Sequence, residues 1–187
     1  MKFIKDKICT QCQRALPLRD TPWLTNQAKD FLTEWFKDKK DPKILEFGAG
    51  GSTIWFSKRT KNLTTIESQA DWFGHAKDNL DSQKECNSVD LRLIPMDYYQ
   101  VCNELDNESF DLVLIDARYR VKCIEASRCL LKPGGILMLD NADRCKYSVL
   151  DSLMEGWQFT KTVQEEPDDY GYFYENWQTN WWIKPKN

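Results

Sequence analysis

The residues with the clearest chemical meaning form a glycine-rich turn, ILEFGAGGST, at residues 44–53. The apolar start predicts a strand, the glycines predict a turn with positive φ, and Ser52 or Thr53 predicts the start of a helix. Such a helix start presents unpaired backbone N–H groups to a ligand. Glu46 precedes the first glycine by two residues, and a carboxylate there would repel a pyrophosphate. The turn therefore predicts a site for a nucleotide-like ligand that carries positive charge.

Acidic residues also end or follow other apolar runs that predict strands. Glu67 ends LTTIE, Asp97 follows LRLIPM, Asp116 ends LVLI and Asp140 ends ILMLD. Because ligands of open parallel sheets bind beyond the carboxyl ends of the strands, these acids are expected around one ligand. Asp116 is the strongest single indication, since an acid that ends an all-apolar run must emerge at this edge or be buried without compensation.

Helical and strand patterns alternate along the chain. A first helix is expected over residues 23–38, with Thr25 as its N-cap. Strands are expected at 43–47, 63–66, 89–94, 110–115, 136–140, 157–163 and 178–183, helices at about 53–60, 69–80, 98–105, 120–131 and 145–155, and a turn at KPGG, 132–135. Strands separated by helices predict right-handed βαβ units, whereas the last two strands predict an antiparallel hairpin. The expected organisation is an N-terminal arm, 1–20, and one α/β domain, 21–187, with its core at 43–183 and a doubly wound, mostly parallel seven-stranded sheet.

The bulk composition narrows the classes of partner. The chain has 187 residues, of which 26 are basic and 29 acidic, for a net charge of −3. This balance lacks the basic excess that is typical of proteins that bind nucleic acid or anionic membranes. The first residues lack the apolar core of a signal peptide, and no apolar run is long enough to span a bilayer. A cytoplasmic protein with a small-molecule substrate is expected, while its oligomeric state stays open.

The cysteines give one spacing of interest. Cys9 and Cys12 form the pair C-x-x-C, and the other five cysteines of the seven are scattered. A zinc site at this pair needs two more ligands, and the only histidine, His75, lies far along the chain on a predicted helix. The pair is therefore interpreted as part of a flexible arm, with a structural metal as the alternative.

The order of these motifs resembles that of the class I S-adenosylmethionine-dependent methyltransferases. The resemblance covers residues 43–183 and rests on ILEFGAGGST, TTIES, IPMDYY, FDLVLIDARYR and LLKPGGILMLDN. Within the class the chain is most similar to small bacterial-type enzymes with PWLT before the core, GGST in the first turn and IDxRxR after the fourth strand. The resemblance implies a Rossmann-like fold and S-adenosylmethionine as cofactor, whose ammonium and sulfonium groups suit the acidic turn.

The resemblance also implies roles for individual residues. Glu46 and the turn would receive the methionine part, Glu67 both ribose hydroxyls, and Asp97 the adenine amino group, with Tyr98 and Trp72 packed on the adenine face. The residues expected to bind the cofactor are Glu46, Gly48, Ala49, Gly50, Ser52, Thr53, Glu67, Ser68, Asp97, Tyr98 and Asp116. Ser52 departs from the family pattern, in which a third glycine is common.

Two catalytic arrangements fit the residues that follow strands four and five. In the first, Asp116, steered by Arg118 or Arg120, orients or deprotonates the acceptor. In the second, Asp116 and Asp140-Asn141 resemble the set that holds magnesium in catechol-type O-methyltransferases. The IDxRxR subgroup favours the metal-free version, because a nearby arginine would repel a cation. The candidate catalytic residues are Asp116, Arg118 and Asp140, and no metal ligand is assigned.

A few residues and one loop are candidates for selecting the substrate, and each has two possible interpretations. Arg118, Arg120 and Arg144 would either clamp a carboxylate or phosphate of the substrate or be solvated surface residues. The acidic, tyrosine-rich loop 165–176 would form a lid or an ordinary polar loop. The expected function is methyl transfer to an oxygen or nitrogen atom of a small molecule. The alternatives are a cofactor-binding module without catalysis and a nicotinamide-dependent oxidoreductase, which the acidic turn disfavours.

Overall fold

A seven-stranded sheet forms the centre of the protein. The computed structural model describes residues 18–168, 171 and 175–186, so Cys9, Cys12 and most of the expected arm lie outside the described residues. The strands are β1 (Ile44–Phe47), β2 (Leu63–Glu67), β3 (Asp90–Leu93), β4 (Phe110–Ile115), β5 (Leu131–Asp140), β6 (Gln158–Thr160) and β7 (Thr179–Ile183). Their order in the sheet is β3-β2-β1-β4-β5-β7-β6. The pairs from β3 to β5 are parallel, whereas β7 is antiparallel to both β5 and β6. The predicted fold class, including the antiparallel C-terminal strands, is confirmed.

Helices connect the parallel strands. The α-helices are α1 (Asn26–Lys37), α2 (Gly51–Ser57), α3 (Ala70–Ser82), α4 (Arg120–Ser127) and α5 (Leu150–Leu153), and 3₁₀ helices cover Tyr98–Glu104, Arg128–Leu130 and Cys145–Tyr147. Within the described residues, the helices are all too short or too polar to cross a membrane. Thr25 lies at the N-cap position of α1, but its hydroxyl makes no capping bond. It is instead 2.8 Å from the hydroxyl of Thr162, which ties α1 to the segment after β6.

The alternation of side chains along the central strands produces two cores. One sheet face carries Leu45, Phe47, Val113, Ile115, Leu137 and Leu139, and the other carries Ile44, Leu112, Leu114, Ile136 and Met138. On the first face the core includes Cys123 and Ile124 of α4. On the second it includes Leu32 of α1 and Phe56 of α2. Helices thus cover both faces, as a buried parallel sheet requires.

Two predicted elements differ from the structure for physical reasons. KPGG, predicted as a turn before β5, lies inside this strand as a bulge, because Leu131 pairs with Phe110 and Ile136 with Leu112. Gly134 and Gly135 of the bulge bond to the backbone of Lys184, so pairing to the chain after β7 keeps these residues in the sheet. The helix predicted at 145–155 is instead the short helix Cys145–Tyr147 followed by α5.

Candidate functional site

A cavity of about 710 Å³ opens at the carboxyl edge of the sheet. Its wall is formed by residues from the glycine turn, 48–52, the end of β2, 67–69, and the end of β4, 116–120. Residues from the segments 18–24 and 144–147 complete it. The predicted ligand edge therefore holds a cavity in the size range of small-molecule sites.

The glycine turn lets the ends of two strands touch. Gly48 has φ +101°, and a Cβ atom on it would lie 2.4 Å from the carbonyl oxygen of Asp116. Its N–H donates to the carbonyl of Ile66 at 2.8 Å. Only glycine accommodates both the positive φ and this close approach. Gly48 therefore brings the ends of β1, β2 and β4 together at the cavity.

Gly51 also allows a close packing contact, which the motif alone does not reveal. A Cβ atom on Gly51 would lie 2.5 Å from the carbonyl oxygens of both Arg19 and Thr21. These residues belong to the segment that leads into α1 and lines the cavity. By contrast, a Cβ atom on Gly50 would meet nothing within 4 Å. The sequence indicates only a turn here, because the preceding segment has no periodic pattern that would place it over α2.

This difference between adjacent glycines predicts a stability effect. Gly51→Ala is expected to destabilise the protein by about 1–3 kcal/mol, because the new methyl group must displace backbone of residues 19–21. Gly50→Ala is the matched control, since its φ of −177° is open to any residue and the site has space. Urea unfolding of both cofactor-free variants measures the difference. Equal midpoints for the two variants would contradict the proposed packing of residues 19–21 on Gly51.

Glu46 lies beneath the turn rather than on the cavity wall. Its carboxylate is fully buried and accepts hydrogen bonds from the hydroxyls of Ser52, Thr53 (2.7 Å) and Thr65 (2.8 Å). Burial raises the pKa of Glu46 to about 7. The direct contact with a cationic ligand that the sequence predicts is therefore absent from this geometry, because the central strand is covered on both faces. The sequence signal for this network is the pair of hydroxyl residues after the turn, Ser52 and Thr53. The third hydroxyl, that of Thr65, comes from the residue opposite Glu46 in the pairing of β1 with β2.

Glu67, in contrast, reaches the cavity wall. One carboxylate oxygen accepts the N–H of Ala49 at 2.9 Å, and the other accepts those of Ser68 at 2.6 Å and Gln69 at 2.7 Å. These bonds hold the carboxylate at the junction of the glycine turn and the start of α3. Ala49, Ser68 and Trp72 line the cavity beside it. The structure thus brings the predicted ribose acid and the predicted turn to one place.

The expected adenine contacts lie elsewhere. Tyr98 is 2% exposed, its hydroxyl donates to the carbonyl of Arg118, and its ring packs between Phe47 and Tyr119 at centroid distances of 6.2 and 6.3 Å. The stacking of Tyr98 on adenine stays a prediction that this geometry does not support, because the ring belongs to the core and not to the cavity wall. Asp97 is exposed outside the cavity wall, where it accepts the hydroxyl of Tyr99 at 3.0 Å. Tyr98 instead fixes the loop after β4.

Asp116, which is half-buried, and the buried Arg120 form an ion pair on the cavity wall. A guanidinium nitrogen of Arg120 lies 2.7 Å from the carboxylate of Asp116. Arg120 is 7% exposed and also donates to the carbonyl of Ala117 at 2.8 Å, the side-chain oxygen of Asn141 at 3.1 Å and the carbonyl of Asp140. The arginine therefore links the ends of β4 and β5 and fixes the orientation of Asp116.

Asp140 faces away from the cavity. Its buried carboxylate accepts the hydroxyl of Thr179 at 2.7 Å and the indole N–H of Trp177 at 3.0 Å. Burial raises its pKa above the ordinary range. The prediction that Asp140 is catalytic is not supported by this position, since its carboxylate is committed to β7 and the residues before it.

The residues present do not fit a magnesium ion. The guanidinium of Arg120 occupies the space among Asp116, Asp140 and Asn141, where the catechol-type arrangement would place the metal. Positive charge at this point would repel a second cation. In the part of the chain that the structure describes, no group of three or more histidine, cysteine, aspartate and glutamate side chains could hold a metal ion.

The electrostatic surroundings of Asp116 suit proton transfer. Burial and the nearby carboxylate of Asp140 raise the pKa of Asp116 to about 8, although Arg120 favours its charged form. A general base works best when its pKa lies near neutral pH. A substantial fraction of it is then ionised, and it still binds a proton well enough to take one from the acceptor. Asp116 is thus the acid on this wall whose position and pKa both suit a base.

The acceptor side of the cavity carries basic side chains. Arg118 follows Asp116, while Arg144 and Lys146 come from the connection after β5, and all three are exposed at the cavity. From the predicted lid loop, Asp168 lines the cavity. Residues 169–170 and 172–174 of that loop lie outside the described part of the chain.

Similar solved structures show the range of proteins that share this fold. An O-methyltransferase from Bacillus cereus, in complex with SAH, has 19% identity and a TM-score of 0.64 over 88% of this chain and 85% of that chain. An rRNA methylase from Streptococcus thermophilus has 16% identity and a TM-score of 0.63 over 88% and 99%. A tRNA (m1A58) methyltransferase from Aquifex aeolicus has 15% identity and a TM-score of 0.61 over 93% and 75%. At these identities the likeness establishes the fold alone.

A family model decides the family. The model described as a methyltransferase domain matches residues 45–142, which is just over half of the chain. No curated protein sequence matches the chain. The matched range runs from the glycine turn through Asp116 to the end of β5 and includes the strands that form the cavity floor. The chain therefore belongs to the methyltransferase domain family, as an S-adenosylmethionine-dependent enzyme of class I.

Proposed function

We propose that this methyltransferase acts on an oxygen or nitrogen atom of a small-molecule acceptor. The observation that carries this proposal is the presence of Glu67 and Asp116 on one cavity wall, on either side of the glycine turn. Glu67 suits the recognition of a ribose, and Asp116 suits the removal of a proton from an acceptor. The bound cofactor supplies an electrophilic methyl group on a sulfonium centre.

The binding half of the site would hold the cofactor through the turn and the end of β2. Glu67 is already oriented by three backbone N–H groups, so the two ribose hydroxyls can donate to a fixed carboxylate. Gly48, Ala49 and Gly50 expose backbone to the cavity and allow a ligand to approach closely. Trp72 offers an indole ring on the same side, which suits packing against an adenine.

The reacting half of the site would use Asp116. Its carboxylate, held by Arg120 at 2.7 Å, accepts the proton that an acceptor hydroxyl or amine loses as the new bond to carbon forms. Because the arginine is anchored on both strand ends, Asp116 loses little freedom when the acceptor binds. Residues 118–120 and 144–147 then form the wall against which the acceptor would lie.

The size of the site and the charge of the protein support a small acceptor. A cavity of about 710 Å³ lies in the range of small-molecule sites, which is roughly 300–1,000 Å³. The net charge of −3 lacks the basic excess that is expected of an enzyme that binds a polynucleotide. Both observations favour a small molecule over the RNA substrates named for two of the similar structures.

Two measurements test this proposal. Calorimetry is expected to show binding of S-adenosylmethionine and S-adenosylhomocysteine but not of NAD. Incubation with methyl-labelled cofactor and fractionated metabolites is then expected to label a low-molecular-weight fraction. Binding of NAD but of neither sulfur cofactor would contradict the proposal. If the protein binds the cofactor but the label appears only in the RNA of a cell extract, an RNA acceptor is favoured. If it binds the cofactor and no fraction of the extract is labelled, a module without catalysis is favoured.

A further inference from the structure

The cavity wall on the side of β4 and β5 carries three exposed basic side chains. Arg118, Arg144 and Lys146 line it, and none of them forms an ion pair with a described residue. Of the described residues, three acids line the cavity: Asp116 is paired with Arg120, Glu67 is held by backbone N–H groups at the far side, and Asp168 comes from the loop before β7. This cluster is local, because the chain as a whole has a net charge of −3.

A buried hydroxyl beside these cations also lacks a partner. Tyr147 is 6% exposed and lines the cavity, and its hydroxyl has no hydrogen-bond partner among the described residues. An unsatisfied buried polar group carries a desolvation cost and is uncommon in folded proteins. The ammonium of Lys146 lies 5.1 Å from the centre of the Tyr147 ring, and a phenol O–H on such a ring is suited to donate to an oxyanion. This observation is independent of the charges and also indicates a ligand.

The position of the cluster separates it from the ribose side of the site. Arg118 follows β4, whereas Arg144, Lys146 and Tyr147 follow β5, and Glu67 lies at the end of β2. In the sheet β1 and β4 stand between β2 and β5. The ammonium and sulfonium of the cofactor are repelled by cations, so an anion on the acceptor explains the cluster better.

We infer that the acceptor carries an oxyanion, a carboxylate or a phosphate, which Arg118, Arg144, Lys146 and the hydroxyl of Tyr147 hold while the acceptor atom faces Asp116. This inference rests on the proposed function and names its substrate class. Both kinds of oxyanion accept several charge-assisted hydrogen bonds, and arginine is suited to bind either. The carboxylate of the cofactor has the same chemistry, and the experiment must separate the two sources.

The test uses inorganic phosphate and benzoate as probes, with benzamide as the neutral counterpart of benzoate. Each is titrated calorimetrically into the protein saturated with S-adenosylhomocysteine. At least one of the two oxyanions, phosphate or benzoate, is expected to bind. If benzoate binds, benzamide is expected to bind at least about tenfold more weakly. Arg118→Gln and Arg144→Gln are each expected to weaken oxyanion binding about tenfold. Tyr147→Phe is expected to weaken it without loss of stability, since it removes an unsatisfied hydroxyl.

A matched control variant and the affinity of each variant for the cofactor show whether the cations bind the acceptor or the cofactor. Lys61→Gln removes one exposed positive charge from the opposite edge of the sheet, just before β2, and is expected to leave oxyanion binding unchanged. The affinity for S-adenosylhomocysteine is expected to stay within threefold in all these variants. No oxyanion binding by the wild type, or equal binding by all variants, would overturn the inference. So would a loss of cofactor affinity in Arg118→Gln and Arg144→Gln, because it would assign the cations to the cofactor carboxylate.

The two proposals fail in distinguishable ways. Failure of the wild type to bind S-adenosylhomocysteine would contradict the proposed function. The same oxyanion titrations on the cofactor-free protein would still report on the cationic wall. Conversely, cofactor binding and methyl transfer to a neutral acceptor, without oxyanion binding, would retain the function and overturn the substrate class.

Discussion

Asp116→Asn is expected to lower kcat by about 100-fold or more while the affinity for the cofactor changes little. The amide keeps the size of the side chain and an oxygen that accepts from Arg120, so the wall keeps its shape. It does not take up the proton of the acceptor. Steady-state kinetics with an acceptor from the labelling experiment, together with calorimetry of S-adenosylhomocysteine, measures the two quantities separately.

The pH profile adds a second readout of the same residue. Since burial raises the pKa of Asp116 to about 8 in the ligand-free protein and a base acts in its deprotonated form, kcat/KM should rise with pH through this region in the wild type. The rise should disappear in Asp116→Asn. Asp106→Asn, which alters an exposed acid before β4, is the control and should keep both kcat and the profile. An Asp116→Asn enzyme that keeps kcat within threefold would rule out the role as base.

Glu67→Ala is expected to raise the Kd for S-adenosylmethionine and S-adenosylhomocysteine by about 100-fold or more. The change removes two charge-assisted hydrogen bonds to the ribose, each worth roughly 1.5–3 kcal/mol. It also releases the N–H groups of Ala49, Ser68 and Gln69, so the turn loses its fixed geometry. Calorimetric titration of both cofactors measures the loss.

Two controls separate binding from folding in this experiment. Glu67→Gln keeps the side-chain volume but lacks the charge, and it should bind the cofactor more weakly than the wild type and more tightly than Glu67→Ala. Glu34→Ala removes an exposed acid from α1 and should leave the Kd unchanged. Circular dichroism melts show whether the variants are folded. A folded Glu67→Ala protein with the Kd of the wild type would contradict the ribose role.

The sheet is largely predictable from the sequence because its central strands are buried on both faces and lie between helical patterns. Runs such as FDLVLI and ILMLD have the apolar character that burial on both faces requires, and most of these runs begin and end next to turn residues. The bulge at 132–135 is not predictable in the same way. Its proline and glycines indicate a turn locally, and only the pairing of β5 with β4 and the chain after β7 keeps it in the strand.

The candidate site is predictable in position but less so in detail. Glu67 and Asp116 reach the cavity because they end strands that stop at its edge. Glu46 also lies in a strand that ends there, yet three hydroxyls from α2 and β2 bury it. Tyr98 and Asp140 are likewise committed to partners that are distant in sequence, Arg118 and Thr179. Such partners become visible only when the strand order is known.

The position of β7 has a consequence for how the nascent chain acquires its structure. β6 pairs with β7 and, in the described chain, with no other strand, and β7 also completes the hydrogen bonds of β5. During synthesis β5 therefore keeps an open, apolar edge until residues 179–183 have left the ribosome. Such edges are templates for pairing with other chains. We therefore expect β7 to protect the polypeptide against aggregation during synthesis, and a chain cut short before residue 179 to be prone to pairing through the open edge of β5.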